Sequence, residues 1–565
     1  MKRKIQILLL PIILLLLGCT APVTDTVTAD GENGEGLASF PTHEGYRIYV
    51  LDQTGWSAIS LYMYGTQNDL GGSWPGISVG GTLQRQDGTT YKYFNVPSQA
   101  RGCTEKLIFN NSGGGSQLKD EPSVTFDRKA DYFFKVTADK ATAFDGGSTL
   151  EVEVDDSPVK ASAVKICTLE ESERNAWHIY QVNPRLYGSS GVYGKIQDRL
   201  DKIQALGCNV LYLMPIYLPG KTKSIGSPYC IKDFKALNTA YGSADELRSL
   251  IGAAHAKGMK VMLDWVANHT AWDCAWITEH KDWYAQDATG NIVCPTADGT
   301  WTDVAQLNYE SAALRQAMED AMLYWIDEFD IDGLRCDYAH GPTGSKTGPM
   351  DAFWKDAIDK LRERKDGLIM LAESDFDKMF TDGFDIIYSR QAKSSLVSVF
   401  AGQDPSAFFN TYQRLLAKAP APKTTLLYIT NHDDASEASP VSEFRGKDGA
   451  LAAFVLMRSL NMSTMIYGSQ EIAYDKPINF FSTLSLDWTA NQDYYTSYSN
   501  IISQLGGYYH SWSSTVYSAG PVVMVDYGSN YVLVNTGSTA VEATLPTGKV
   551  WAAQPYEYKV VYLEE

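Results

Sequence analysis

Three acidic residues follow buried, strand-like runs in the middle of this 565-residue chain. Asp337 ends the run IDGLRCD, Glu373 follows LIMLA, and Asp433 follows LLYITNH. Arg335 stands two residues before Asp337, so both side chains lie on one face of a strand. Taken alone, that pair is as typical of a structural ion pair as of a reaction centre. Three acids at three strand ends favour the reaction centre.

Such a trio suits the cleavage of a glycosidic bond. A retaining glycosidase needs one carboxylate as nucleophile and one carboxylic acid as proton donor, ~5 Å apart, around an oxocarbenium-like transition state. We expect Arg335 to lower the pKa of Asp337 and keep it ionised, and neighbouring carboxylates to raise the pKa of Glu373. Asp433 would hold sugar hydroxyls and strain the ring toward the transition state.

The elements that carry these acids alternate between strand and helix. Between residues 177 and 505, eight apolar runs of strand type are separated by amphipathic helical segments, with a short insertion over 270–308. This rhythm predicts a (β/α)8 TIM barrel, whose chemistry lies at the C-terminal ends of the strands. The eight runs are WHIYQVNP, NVLYLMPI, KVMLDWVANH, IDGLRCD, GLIMLAES, FDIIYS, TLLYITNHDD and STMIYGSQEI.

All-β segments flank the predicted barrel. Residues 41–147 contain short alternating runs such as YRIYVLD and DYFFKVT, broken by Gly, Asn and Asp, which indicate an N-terminal β-sandwich. A charged linker is predicted over 148–176. Alternation returns in 506–565, for example in GPVVMVDYG and NYVLVNTG, and predicts a C-terminal β-sandwich.

The N-terminus has the pattern of an export signal. MKRK is basic, the following run IQILLLPIILLLLG is apolar but short, and the segment closes on LLGC. This ending resembles the bacterial lipobox, which implies a lipoprotein signal peptide over 1–19 and lipidation of Cys19. Residues 20–40 are polar and read as a flexible tether. We therefore expect an exported lipoprotein in the outer membrane or at the cell surface of a bacterium.

Composition narrows the class of ligand. A net charge of −19 argues against nucleic acid, and 34 Tyr, 20 Phe and 13 Trp suit a flat, neutral ligand such as a sugar. Seven further cysteines without CxxC spacing argue against a disulfide framework or a zinc site. Cys274 and Cys294 lie in one predicted loop region and are the two cysteines that could form a disulfide.

The strand-end motifs resemble the α-amylase family of glycoside hydrolases, family 13. The resemblance implies Asp337 as nucleophile, Glu373 as acid/base and Asp433 as transition-state stabiliser. It also implies a substrate-binding group whose members contact or stack on the sugar: Arg335, His269, His432, Tyr229 and Asp264. The motifs are DWVANHT, GLRCDYAH, LAESD and YITNHDD, with SPYCIKDF before the third strand.

The chain departs from the family pattern at the usual calcium site. Asn268 matches a common calcium ligand, but Gln306 in VAQLN stands where an aspartate is common, and two other expected ligands look absent. A structural calcium ion is thus an open alternative. No cofactor is expected to be required for the chemistry, and no metal ligand is assigned.

The N-terminal module resembles small starch-binding modules through IYVLDQTGW, LYMYG, SWPG and LIFNNSGGGSQ. By that resemblance Tyr62, Tyr64 and Trp74 stack on glucose rings and Asn110 hydrogen-bonds them. Packing of these aromatic residues in the module's own core is the alternative.

The expected function is endo-acting, retaining hydrolysis of α-1,4 bonds in starch and maltooligosaccharides. A neopullulanase, cyclomaltodextrinase or transglycosylating enzyme of the same family, and a non-catalytic surface starch-binding protein, are the alternatives. Starch and maltooligosaccharides are the expected partners, together with a lipid anchor in the membrane. The surface location leaves other starch-utilisation proteins open as partners.

Overall fold

A computed structural model describes thirteen stretches of the chain, which are residues 45–65, 74–97, 100, 103–112, 115–119, 121–126, 131–144, 158–170, 177–296, 300–341, 350–460, 462–506 and 513–562. The predicted signal peptide, Cys19 and the tether lie outside these residues. Contacts divide the chain into two compact units, Met1–Asp156 and Ser157–Glu565.

The first unit is a sandwich of two sheets. The five-stranded sheet has the order β4-β5-β1-β8-β9 and the four-stranded sheet the order β3-β2-β6-β7. Ile48, Phe94 and Phe134 from one sheet pack with Leu61 and Phe109 from the other, so alternate residues of each strand form a common core. The strands are β1 Tyr46–Gln53, β2 Ser60–Gly65, β3 Ile77–Ser78, β4 Gly81–Gln84, β5 Thr90–Val96, β6 Thr104–Asn110, β7 Ser123–Thr125, β8 Tyr132–Thr137 and β9 Ala141–Ala143.

The second unit combines a barrel with two further sheets. Its strands are β10 Val159–Ser162, β11 Val164–Leu169, β12 His178–Val182, β13 Val210–Leu213, β14 Tyr217–Pro219, β15 Ile231–Leu237, β16 Lys260–Val266, β17 His269–Ala271, β18 Val304–Gln306, β19 Gly333–Asp337, β20 Ile369–Ala372, β21 Ile386–Tyr388, β22 Thr424–Tyr428, β23 Ser463–Tyr467, β24 Ser514–Ala519, β25 Val522–Asp526, β26 Asn530–Asn535, β27 Val541–Thr544, β28 Val550–Ala553 and β29 Tyr558–Tyr562.

Helices fill most of the connections between the barrel strands. They are α1 Val192–Gln197, α2 Leu200–Ala205, α3 Ala244–Ala256, α4 Trp276–Glu279, α5 Ala312–Phe329, α6 Met350–Arg364, α7 Lys378–Thr381, α8 Arg390–Phe400, α9 Ser406–Lys418, α10 Asp434–Glu437, α11 Pro440–Glu443, α12 Lys447–Arg458 and α13 Gln492–Leu505. Ser243 starts α3 through a capping box with Glu246, which satisfies two backbone N–H groups at the helix end.

Eight parallel strands close the barrel in the order β12-β13-β16-β19-β20-β21-β22-β23. Each lies within one of the eight runs picked out in the sequence, except that β22 begins one residue before its run, and the predicted TIM barrel is confirmed. Nearly every residue of these strands is buried, because side chains pointing inward fill the barrel and those pointing outward pack under the helices. The C-terminal ends of β16, β19, β20 and β22 therefore meet at one rim.

Two sheets, with the orders β11-β24-β25-β26-β29 and β10-β27-β28, form the C-terminal β region. The expected linker over 148–176 is wrong for residues 159–169, because β10 pairs with β27 and β11 pairs with β24. This Val-rich stretch supplies one strand to each of two sheets. The other strands of these sheets lie between residues 514 and 562. The other predicted domain boundaries stay predictions.

Two findings concern the cysteines and membrane-spanning helices. All seven cysteines in the described residues are free, so Cys274 and Cys294 form no disulfide. Within the same residues, no helix is long and apolar enough to cross a membrane.

Candidate active site

A cavity of about 450 Å³ opens at the C-terminal ends of the barrel strands. Asp337 ends β19, and Glu373 and Asp433 follow β20 and β22, so the C-terminal ends of three barrel strands bring the three acids to one place. Six residues predicted from the sequence line the cavity: Tyr229, His269, Asp337, Glu373, His432 and Asp433.

Arg335 is the common partner of three carboxylates. Its Nη1 donates hydrogen bonds to Oδ1 of Asp264 and to Oδ1 of Asp337, each at 2.9 Å. Its Nη2 lies 3.1 Å from Oε2 of Glu373. Asp337 and Glu373 therefore stand within the span of one planar guanidinium.

Asp264 supports this arrangement from below the cavity. Its Oδ2 accepts hydrogen bonds from the hydroxyls of Tyr212 at 2.5 Å and Tyr229 at 3.0 Å. Asp264 and Arg335 have no exposed surface. The prediction that these two residues contact the sugar is therefore wrong for this conformation, because their charges bind each other underneath the residues that line the cavity.

The pKa values of the two central carboxyls are the reverse of the sequence prediction. Burial raises the pKa of Glu373, but the guanidiniums of Arg335 and Arg390 outweigh burial and lower it to about 2. Burial and the charge of Glu373 raise the pKa of Asp337 well above its ordinary value, although Arg335 opposes them. The sequence prediction overlooked Arg390, whose Nη2 donates to Oε1 of Glu373 at 2.9 Å.

A buried hydrogen-bond chain orients His432. Nε2 of Gln181 lies 2.9 Å from Nδ1 of His432. The other ring nitrogen of His432, Nε2, lies 2.7 Å from the hydroxyl of Tyr229, which donates to Asp264. The rings of Tyr229 and His432 stack with centroids 5.3 Å apart. Gln181 lies near the end of β12. It was not identified from the sequence, although its position on a barrel strand could have indicated a role at the site.

His269 lies at the opposite side of the rim, in β17. Burial lowers the pKa of His269 to about 4, so the ring is neutral near neutral pH. Its ring meets Trp301 edge to face at 5.9 Å, and Trp301 is 36 % exposed. The insertion after β16 thus supplies an aromatic wall of the cavity.

A sequence model described as "Alpha amylase, catalytic domain" matches residues 170–503, more than half of the chain. The chain belongs to the α-amylase family.

Relatives within the α-amylase family differ in their named activities, and homologues in this family are glycoside hydrolases. Alpha-amylase MalA of Haloarcula japonica is 26 % identical over 308 residues, covering 52 % of this chain and 43 % of the relative. Probable oligo-1,6-glucosidase 2 of Bacillus subtilis strain 168 is 30 % identical over 196 residues, covering 29 % and 34 %. The chain thus spans less than half the length of these relatives.

Solved structures of similar fold cover about two thirds of this chain. An alpha-amylase from Lactobacillus plantarum has 23 % identity and a TM-score of 0.54, covering 69 % of this chain and 99 % of that chain. A cyclic alpha-maltosyl-(1→6)-maltose hydrolase from Arthrobacter globiformis has 18 % identity and a TM-score of 0.59, covering 68 % and 99 %. These likenesses concern the fold.

Several cavity residues of this α-amylase family member were not picked out from the sequence: Arg390, Trp301, Tyr338, Phe480 and Phe481. Arg390 comes two residues after the end of the sixth barrel strand, so the strand-end rule that identified the acids also applies to it. The aromatic residues come from long loops, where neither periodicity nor spacing indicates which side chains turn inward.

The residues around Asn268 do not fit a calcium ion. Nε2 of Gln306 lies 2.9 Å from the backbone oxygens of Asn268 and Leu307 and 3.2 Å from Oδ1 of Asn268. Calcium requires six to eight oxygen ligands. Here the Nε2 amide of Gln306 stands among three such oxygens and hydrogen-bonds to them, and three is fewer than calcium requires. Among the described residues, no group of three or more His, Cys, Asp or Glu is arranged to hold a metal.

The aromatic residues predicted in the N-terminal module lie together. The rings of Tyr62 and Tyr64 stack at 6.4 Å, and Trp74 meets Tyr62 at 5.6 Å. Trp74 is 46 % exposed. Asn110 is fully buried, and its Nδ2 donates to the backbone oxygen of Pro75 at 2.9 Å. The prediction that Asn110 contacts a sugar is therefore wrong, because its side chain supports the turn next to Trp74 instead.

Gln306→Asp tests the interpretation that the residues around Asn268 do not bind calcium. The new carboxylate would face three oxygens without a donor, so we expect a loss of about 1–3 kcal/mol in the free energy of unfolding. Urea unfolding followed by circular dichroism measures it. Added calcium should recover part of the loss in this variant, and chelation with EDTA should leave the wild-type midpoint unchanged. A wild-type midpoint that falls with EDTA would contradict the interpretation, and Gln306→Asn, which keeps an amide, is the control.

Proposed function

We propose that this α-amylase family chain is an endo-acting, retaining α-glucan hydrolase that cleaves α-1,4 bonds of starch and maltooligosaccharides. The observation that carries the proposal is the pair formed by Asp337 and Glu373, both held by the guanidinium of Arg335. A shared guanidinium supports the short carboxyl spacing of retaining enzymes, ~5 Å, rather than the wider spacing that leaves room for a water in inverting ones.

The roles follow from the contacts of each acid. Arg335 binds Oδ1 of Asp337, which leaves Oδ2 to attack the anomeric carbon and form a covalent glycosyl-enzyme. Glu373 gives a proton to the departing glycosidic oxygen and then takes one from the water that hydrolyses the intermediate. Asp433, whose side chain is 54 % exposed, binds sugar hydroxyls. His269, His432 and Tyr229 shape the subsite for the sugar that is cleaved.

A row of aromatic rings supports binding of several sugar units. Trp301 contacts Tyr338 at 5.4 Å, Tyr338 contacts His340 at 4.4 Å, and His340 contacts Phe376 at 5.2 Å. Trp301 and Phe376 are 36 % and 54 % exposed. The exposed rings of this row offer aromatic surface to glucose units beyond the one that is cleaved, which favours action on long chains over removal of terminal glucose.

Cleavage of α-1,6 bonds, action on cyclic substrates or transglycosylation is the second candidate. The names of the relatives favour it, since they include an oligo-1,6-glucosidase, and the fold neighbours include a cyclic alpha-maltosyl-(1→6)-maltose hydrolase. A purely starch-binding role is disfavoured by the three acids around the cavity.

We further propose that the N-terminal module binds starch through Tyr62, Tyr64 and Trp74. Their half-exposed and exposed rings form one surface of suitable chemistry. Export and lipid attachment through Cys19 are proposed from the basic start, the apolar run and LLGC. Together these features describe an enzyme held at a bacterial surface beside its polymer.

Asp337→Asn and Glu373→Gln should each lower the rate of starch hydrolysis by about a hundredfold or more, because each removes a group that acts on the reacting bond. A reducing-sugar assay on soluble starch measures the rate, and binding to insoluble starch should survive. Glu279→Gln, an exposed site in α4, is the matched control. Wild-type turnover in either acid variant would refute the assignment.

Product analysis on amylose, pullulan and cyclodextrin distinguishes the two candidate activities. We expect mixed maltooligosaccharides to appear early from amylose, with slower release from the other two substrates, because an open aromatic row accepts interior segments of a chain. Chromatography of early time points is the measurement. Preferential attack on pullulan or cyclodextrin would favour the second candidate.

Trp74→Ala should weaken binding of the whole protein to insoluble starch by about tenfold, because a stacked ring is lost. Depletion from solution at increasing starch concentration measures the affinity, with Asp337→Asn as background to prevent hydrolysis. Tyr93→Ala, a half-buried tyrosine on the other sheet of the same module, should bind like the parent. Equal affinity for both variants would refute the role of this surface.

A further inference from the structure

The carboxyl group of Glu373 meets hydrogen-bond donors at both oxygens. Oε2 accepts the backbone N–H of Tyr338 at 2.9 Å and lies 3.1 Å from Nη2 of Arg335. Oε1 accepts Nη2 of Arg390, also at 2.9 Å. A proton on either oxygen would face an N–H group, so this arrangement favours the carboxylate. The proposed acid thus rests in a form that has no proton to give.

Only one of these contacts can be released without rebuilding the site. Arg335 is fully buried and also holds Asp264 and Asp337, and the N–H of Tyr338 belongs to the backbone. Arg390 has a side chain that is 44 % exposed, and it lines the cavity. Oε1 is therefore the oxygen that can be freed to meet a glycosidic oxygen.

Arg390 has a second carboxylate close at hand. Its Nη1 lies 3.4 Å from Oδ2 of Asp375, and its backbone N–H donates to Oδ1 of Asp375 at 3.1 Å. Arg390 is the first residue of α8, so the backbone contact fixes its base while the side chain extends to Glu373. Arg390 thus bridges Glu373 and Asp375, and a turn of the side chain would release Glu373 while keeping the contact with Asp375.

We propose that Arg390 is a positioning residue that holds Glu373 as a carboxylate in the free enzyme and moves onto Asp375 when a sugar enters the cavity. The inference rests on the proposed role of Glu373 as the acid. It adds a residue that decides when that acid is ready.

The step requires one proton, which solvent supplies. As Arg390 leaves, Oε1 of Glu373 takes up that proton. Protonation of Glu373 removes the negative charge that raises the pKa of Asp337, so one movement favours both the acid form of Glu373 and the anionic form of Asp337. Charged or titratable groups around this pair include Arg335, Asp264, Tyr229, His340, Tyr388 and His432, and Asp375 lies beside Arg390.

The test is the pH dependence of kcat/KM, which reports ionisations of the free enzyme. Phenyl α-maltotrioside needs protonation of its leaving group, whereas α-maltotriosyl fluoride needs little. In Arg390→Gln, Glu373 keeps a proton to higher pH, so the alkaline limb for the phenyl substrate should move upward by about one pH unit or more. The limb for the fluoride should not move, and Arg390→Lys should stay near wild type.

Two outcomes would overturn the proposal. An unmoved alkaline limb, with KM raised equally for both substrates, would make Arg390 a sugar-binding residue only. An equal shift with both substrates would show that it does not act through Glu373.

Asp375→Asn provides an independent variant if Arg390→Gln fails to fold. It removes the alternative anion, so the limb for the phenyl substrate should move to lower pH, and a limb that stays in place would contradict the proposal. Glu373→Gln separates this inference from the proposed function. If that variant retained activity on the phenyl substrate, the assignment of the acid itself would be wrong.

Discussion

The buried guanidinium of Arg335 is the interaction on which the site depends. It contacts Asp264, Asp337 and Glu373 and has no exposed surface. Charges removed from water are costly unless they are paired, and removing one partner of such a group strands the others. The barrel meets this requirement by placing the arginine on β19 beside β16, which carries Asp264, and β20, which precedes Glu373. The order of the strands in the sheet is therefore also the order of the charges.

A layered site results from this arrangement. Asp264, Arg335 and the hydroxyl of Tyr212 lie below, fully buried, while Asp337, Glu373 and Asp433 line the cavity above. The side chains of the lower layer hold one another in place through hydrogen bonds, so they do not need a ligand to order them. Groups that are already oriented need not reorganise when charge develops on a sugar, which is the electrostatic advantage of such a site.

Much of this organisation is predictable from the sequence, for a physical reason. Barrel strands are continuous apolar runs, and polar residues directly after them can only lie at the rim, so β19 and β22 indicate Asp337 and Asp433 without any coordinates. Ionisation was not predictable in the same way. The pKa of Glu373 depends on Arg390, which lies seventeen residues later on another element. Only the tertiary structure shows that the side chain of Arg390 points toward Oε1 of Glu373. Asn110 was misassigned because a strand sequence does not reveal which amide is covered by a neighbouring turn.

The pairing of β10 with β27 and of β11 with β24 joins the two ends of the second unit. A ribosome or a translocation channel delivers the chain from its N-terminus, so β10 and β11 emerge long before their partners. Until β27 and β24 have been made, β10 and β11 lack these pairing partners. The backbone N–H and C=O groups that will pair with them stay exposed. Completion of this unit thus waits for β24 and β27, and a chain terminated before them would expose strand edges that quality-control proteases can recognise.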